Sequence, residues 1–308
     1  ACPLFTPRQS APIKVKPTDL RGILQYIPRF REKTFVIAVD GAVVTDENFA
    51  NLLLDVAVLR SLNIRVVLVH GAAAQIQALG AERGITPSNL DGTGITDAPT
   101  LQLALTAANR LTHEILEGLS TNDLRAASPN AVIASPMGIL QGVDQLFTGK
   151  VERVDTEMLQ TLLAAGITPV VPPLGFDGDG KTYRVTSDTI ALAIATALKA
   201  TKILFITTSD GLFHQGKLLK QVLAADLRAL IEKKELSPED TARARAAAAA
   251  CLQGIPSVHL INGRTDESLL AEVFSNEGVG TLIYADEFQQ IRPAQKKDIR
   301  ALLRLTKN

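Results

Sequence analysis

The stretch VLVHGAAAQI (Val67–Ile76) runs from an apolar segment through a small-residue turn into a segment of helix formers. α/β proteins often build a phosphate cradle this way, with backbone N–H groups at a helix N-terminus facing an anion at the end of a strand. Here a single glycine, Gly71, is followed by Ala72, Ala73 and Ala74. Alanine keeps the N–H, but its Cβ occupies space that a phosphate oxygen would use and disfavours positive φ. By residue type alone, the turn fits a compact strand-to-helix connection at least as well as a phosphate loop. His70, just before it, fits a side chain hydrogen-bonded at the sheet edge.

Working outward, TFVIAV (34–39) and RVVLVH (65–70) read as buried strands. The helix between them carries apolar residues at Phe49, Leu52, Leu53, Val56 and Leu59. LRGILQYIPRFREK (20–33) reads as a short amphipathic helix interrupted near Pro28. A helix opens at Pro99, a residue suited to a first turn. AVIAS (131–135), ITPVVP (167–172) and ILFIT (203–207) are further apolar strands, separated by helical patterns at 155–165 and 187–199. GLFHQGKLLK (211–220) reads as a hairpin. Two helices follow, one of them TARARAAAAACLQG (241–254), and then SVHLI, DESLLAEVF and GVGTLIYA close the pattern. Strands alternating with helices predict a three-layer αβα sandwich around a central, mainly parallel sheet.

Composition narrows the functional classes. Lysine plus arginine equals aspartate plus glutamate, 32 each in 308 residues, so no global field favours nucleic acid or an acidic membrane. Two cysteines, Cys2 and Cys251, supply neither a disulfide framework nor a cysteine metal cluster, which fits a reducing, cytoplasmic compartment. No apolar run reaches the ~18 residues of a membrane span. The first residues, rich in proline, read as a flexible arm. The tail reads as a strand, a break at Pro293 and the start of a new helix, and so as a truncated unit.

By residue type, Ser187 or Asp188 would cap the helix they open, although Asp188 also suits an anionic organiser at the carboxyl end of a strand. Lys202 reads as a solvated strand entry, and His259 and Glu272 as structural or exposed side chains.

Taken together, LQYIPRFREKTFVI, VVLVHGAAAQI, GITDAPTLQLA, LFTGKVERVD, YRVTSDTIALAIA and HLINGRTDESLLAEVFSNEGVGTLI resemble the amino-acid kinase family, and within it the acetylglutamate kinase branch, from about Leu20 to Tyr284. GTLIYADEFQQIRPAQKKDIRALL resembles the junction at which N-acetylglutamate synthases pass from a kinase-like domain to a GNAT acetyltransferase domain. The resemblance implies an oligomerisation segment in 1–33, a kinase-like domain in 34–285 and the start of a GNAT domain in 286–308. It also exposes departures. Ala38 stands where a working kinase has its phosphate lysine. The glycine turn is reduced to Gly71 with Ala72 and Ala73. Gly94 replaces a carboxylate-binding arginine, Arg184 an asparagine and Arg243 a second lysine. Of the kinase groups, Asp188 is kept.

The same resemblance assigns an arginine-effector site to Tyr26, Lys202, His259, Glu272 and the turn Gly278–Gly280. What it implies is an arginine-sensing domain without kinase catalysis, a homo-oligomer, expected as a hexamer through its N-terminal helices, and no metal or cofactor in this chain. Acetyl-CoA would be the substrate of the full-length amino-acid N-acetyltransferase. An active acetylglutamate kinase and a ligand-free scaffold are the competing expectations.

Overall fold

The computed structural model describes residues 23–275 and 278–285. The expected N-terminal arm, and the tail with its break at Pro293, lie outside them. In chain order the strands are β1 Thr34–Val39, β2 Arg65–His70, β3 Ala126–Ala127, β4 Val132–Pro136, β5 Ile139–Leu140, β6 Val143–Asp144, β7 Gly149–Val154 and β8 Thr168–Val171. They continue with β9 Leu174–Phe176, β10 Thr182–Arg184, β11 Lys202–Thr207, β12 Phe213–His214, β13 Lys217–Leu218, β14 Gln221–Leu223, β15 Ser257–Asn262 and β16 Thr281–Tyr284.

The expected αβα architecture is present. Its centre is an eight-stranded sheet in the order β14-β16-β15-β11-β1-β2-β8-β3. Its pairings are parallel except for β15 with β16. Alternation along the strands divides the core. Val36, Ile203, Phe205, Val258 and Leu260 face one layer, which includes the helices Ser187–Ala197 and Pro238–Leu252. Phe35, Ile37, Leu204, Ile206 and Ile261 face the other, with Phe49–Ser61, Ala98–Thr121 and Ser268–Phe274. Strands buried on both faces read as unbroken apolar runs, which is why they were legible.

Three local expectations are corrected. AVIAS belongs to a second sheet, ordered β10-β9-β4-β7, rather than to the central one. The cap of the helix Ser187–Ala197 is Thr186, whose hydroxyl accepts from the N–H of Thr189, so neither Ser187 nor Asp188 has that task. His70 lies on an interior strand, away from any sheet edge, and is fully buried. The interruption expected near Pro28 is present: the backbone is helical at 23–24, turns at 25–26 and resumes as Ile27–Phe30, with Pro28 in the first turn, where its missing N–H costs nothing. Pro99 does stand in the first turn of Ala98–Thr121, behind an Asp97 cap.

Candidate functional site

The first candidate region lies at the carboxyl ends of β1 and β2, where two turns meet. A Cβ on Gly41 would come 3.0 Å from the Gly71 carbonyl, so the two turns touch through backbone. Gln75, in the helix Ala73–Arg83, donates Nε2 to the Gly41 carbonyl at 2.8 Å and laces them together. His70 holds the second turn from behind. Its Nδ1 is 3.1 Å from the Gly71 carbonyl, which can only accept, so Nδ1 carries the proton, and Nε2 lies 2.8 Å from Thr112 Oγ1. Burial pushes the His70 pKa down to about 4, and the ring stays neutral.

Ala38, the position the resemblance matches to the phosphate lysine, is buried near the end of β1 and carries only a methyl group. Two residues on, Asp40 is engaged from the helix Pro238–Leu252: Arg243 donates Nη2 to Asp40 Oδ2 at 2.5 Å. Asp188 is close to both. Burial raises its pKa, the Arg243 guanidinium opposes that, and the Asp40 carboxylate adds to it.

Arg184 is 2% exposed and donates to the chain itself. Its Nη1 reaches the Asn89 carbonyl and Oδ1 at 2.8 and 3.0 Å, and its Nη2 bonds the Leu90 carbonyl. Asn89 in turn donates to the Gly94 and Ile95 carbonyls, and Thr148 also donates to Gly94. A positive side chain thus fastens the loop 89–96.

The second region lies at the opposite, amino ends of the strands, about 17 Å away for six-residue strands. Here Lys202 opens β11 and pairs in register with Ser257, the first residue of β15, while His259 stands two residues further on. A spacing of two puts Ser257 and His259 on one face. Lys202 Nζ lies 2.7 Å from His259 Nε2 and 3.3 Å from Ser257 Oγ. His259 Nδ1 lies 2.6 Å from Glu272 Oε1. Because an ammonium can only donate and a carboxylate only accept, the imidazole is neutral, with its proton on Nδ1.

Glu272 Oε2 also accepts the N–H groups of Val279 and Gly280, at 2.7 and 3.0 Å. Gly278 makes that approach possible. Its φ is +64°, and a Cβ there would stand 2.7 Å from Oε2. Tyr26 stacks on Phe30 with ring centroids 6.1 Å apart, and the Lys202 ammonium sits 5.4 Å from the Phe30 centroid.

These groups line one pocket, with Tyr26, Lys202, His259, Glu272 and Gly278 in its wall. Lys202 is therefore no solvated strand entry, and neither His259 nor Glu272 is exposed. Gly280 joins through its N–H rather than through the wall. The six expected residues converge.

A family profile described as "Amino acid kinase family" matches residues 33–262. An amino-acid acetyltransferase of Pseudomonas fluorescens is 36% identical over 297 residues, covering 93% of this chain and 68% of that protein. A similar protein of Vibrio cholerae is 34% identical, covering 93% and 69%. Among solved structures, N-acetylglutamate synthase of Neisseria gonorrhoeae complexed with coenzyme A and L-arginine superposes with a TM-score of 0.82 at 30% identity, covering 94% of this chain and 70% of that one. The chain belongs to the N-acetylglutamate synthase branch of the amino acid kinase family.

Within that family frame, the pocket holds groups that residue-type reasoning passed over: Ser257, Arg29, Phe30 and Tyr284. Ser257 was discoverable, since S-x-H at a strand entry puts both polar groups on one face. The rest required the fold.

Electrostatics makes this member's buried row pH-sensitive. Burial, helped by the Lys202 charge, pushes the His259 pKa down to about 4 from 6.5. Burial would raise Glu272, but hydrogen bonds from His259, Gly280 and Val279 outweigh it and hold its pKa at about 2. The unfolded chain therefore binds more protons than the fold on the acid side. Stability from His259 is complete above about pH 6.5 and lost as pH falls toward 4; that from Glu272 is complete above about 4.5 and lost toward 2. Urea midpoints measured between pH 7 and pH 4 are expected to fall, and to fall less in His259→Asn. Equal slopes in the two proteins would exclude His259 as a source of acid lability.

Proposed function

We propose that this chain is the arginine-responsive, kinase-inactive regulatory domain of an N-acetylglutamate synthase. The observation that carries the reading is the contrast between its two ends. At the carboxyl ends of the strands, phosphoryl transfer lacks its cation at Ala38, and Arg184 and Arg243 are bonded within the chain. Phosphoryl transfer relies on positioning and charge stabilisation, and loss of one preorganised donor typically costs about 2.7–4 kcal/mol in the transition state. At the amino ends, a cation and an anion stand on either side of one imidazole, in an open pocket.

That arrangement suits a long zwitterion. A guanidinium pairs with Glu272 through charge-assisted hydrogen bonds, the ligand carboxylate turns to Lys202, and Tyr26 covers the aliphatic stem. Glu272 Oε1 keeps a lone pair, whereas Oε2 already takes two N–H donors. Bidentate capture of a guanidinium therefore asks one of those N–H groups to let go. The turn Gly278–Gly280 runs straight into β16, so ligand occupancy acts on the strand that leads out of the domain.

In this reading, residues up to 33 serve oligomerisation, expected as a hexamer in the cytoplasm, and 34–285 form the sensing domain. Residues 286–308 begin an acetyltransferase domain that moves the acetyl group of acetyl-CoA to the amine of L-glutamate. Isothermal calorimetry with L-arginine and a coupled ADP assay with ATP and N-acetylglutamate test it. Expected are saturable arginine heat, with a rise in Tm that grows with arginine concentration, and ADP release at background. Arginine without effect on folded protein, or turnover abolished by Asp188→Ala, would overturn it.

A further inference from the structure

Lys202 is placed as an amine that a base can deprotonate. Its Nζ bonds the unprotonated Nε2 of His259, and the opposite ring nitrogen bonds Glu272. Nucleophile, imidazole and orienting carboxylate therefore stand in a row, the geometry that activates side-chain nucleophiles generally. The row opens on a pocket rather than being sealed in the core. Burial and the charge of Arg29, which lines the same pocket, weaken the ammonium, while the face of the Phe30 ring, 5.4 Å away, attracts it.

We propose that Lys202 is a self-activated acylation site, taking the acyl group of a small thioester. The free amine attacks the thioester carbonyl carbon and the C–N bond forms. The Nζ proton passes to His259 Nε2, the C–S bond breaks, and the thiolate leaves and takes up that proton. The product is a neutral amide. Lys202 loses its charge and His259 loses its ammonium partner, so the positive end of the row is erased.

Burial, with Arg29 adding to it, lowers the Lys202 pKa from 10.5 to about 8, so at neutral pH its free-amine fraction far exceeds that of a surface lysine. The chemistry requires no arginine and stands independently of the effector reading.

The test uses the full chain, S-acetyl-N-acetylcysteamine as probe and peptide-resolved mass spectrometry. Lys202 is expected to acetylate about 10-fold faster at pH 7.5 than the exposed Lys33 and Lys217, activated amines being the desolvated ones. Its rate should level off near pH 8 while theirs keep climbing. His259→Asn should bring Lys202 down to the surface rate. Glu272→Gln, which keeps the side-chain size, should slow it in the same direction and serves if the first variant does not fold. Labelling of Lys202 no faster than Lys33 in the folded parent overturns the proposal, as does an undiminished rate in both variants.

Discussion

Glu272→Ala is expected to lower the unfolding free energy by about 3–5 kcal/mol, the cost of removing one charge of a buried Lys202–Glu272 pair bridged by a neutral imidazole. One carboxylate satisfies three donors: the His259 ring N–H and the N–H groups of Val279 and Gly280. Without it, the His259 ring N–H and the Gly280 N–H lose their acceptor in a buried site, the part-buried Val279 N–H loses its own, and the Lys202 ammonium loses the negative end of its row. A buried donor left unpaired costs its full desolvation, which exceeds what a made hydrogen bond contributes. The same variant is expected to show no stabilisation by arginine. Urea unfolding followed by far-UV circular dichroism, with and without arginine, checks both. A loss under about 1 kcal/mol would mean that the turn is held by something other than this carboxylate.

Gly280→Ala is expected to be nearly as damaging, for a steric reason. An added Cβ would stand 1.9 Å from the Leu260 carbonyl oxygen and 2.9 Å from its carbonyl carbon. These are backbone atoms of β15, so no side-chain rotation relieves the contact. Relief requires β16 to move away from β15 at Leu260–Thr281, the pair where the antiparallel ladder begins. Overpacking costs typically about 1–3 kcal/mol, and a clash with a central strand belongs at the upper end. Because the Gly280 N–H also bonds Glu272, the variant should weaken arginine binding by more than its stability loss alone explains. Unchanged thermal stability together with unchanged arginine heat would show that the turn accommodates the methyl group.

The order of layers was legible because TFVIAV, RVVLVH and ILFIT are apolar through their interiors, as strands buried on both faces must be. AVIAS has the same appearance and a different place, since hydrophobicity reports burial and not which sheet does the burying. Lys202 is the clearest misreading by residue type. A lysine at a strand entry is ordinarily solvated, and only the register with Ser257 and the nearness of His259 give its ammonium a buried partner. Asp188 failed as a cap for a similar reason: Thr186, two residues earlier, has the hydroxyl in position.

From the sequence alone came the αβα architecture and, through resemblance to a family, the expectation of a missing cation at Ala38 and the six residues of the pocket. These depend on chemical identity and chain order, which a sequence carries in full. Only the tertiary structure decided that Lys202, His259 and Glu272 form one hydrogen-bonded row, that its proton rests on Nδ1, and that Arg184 is bound to its own chain. Those facts depend on distances of a few ångströms between residues far apart in the chain, and sheet register and helix docking set such distances.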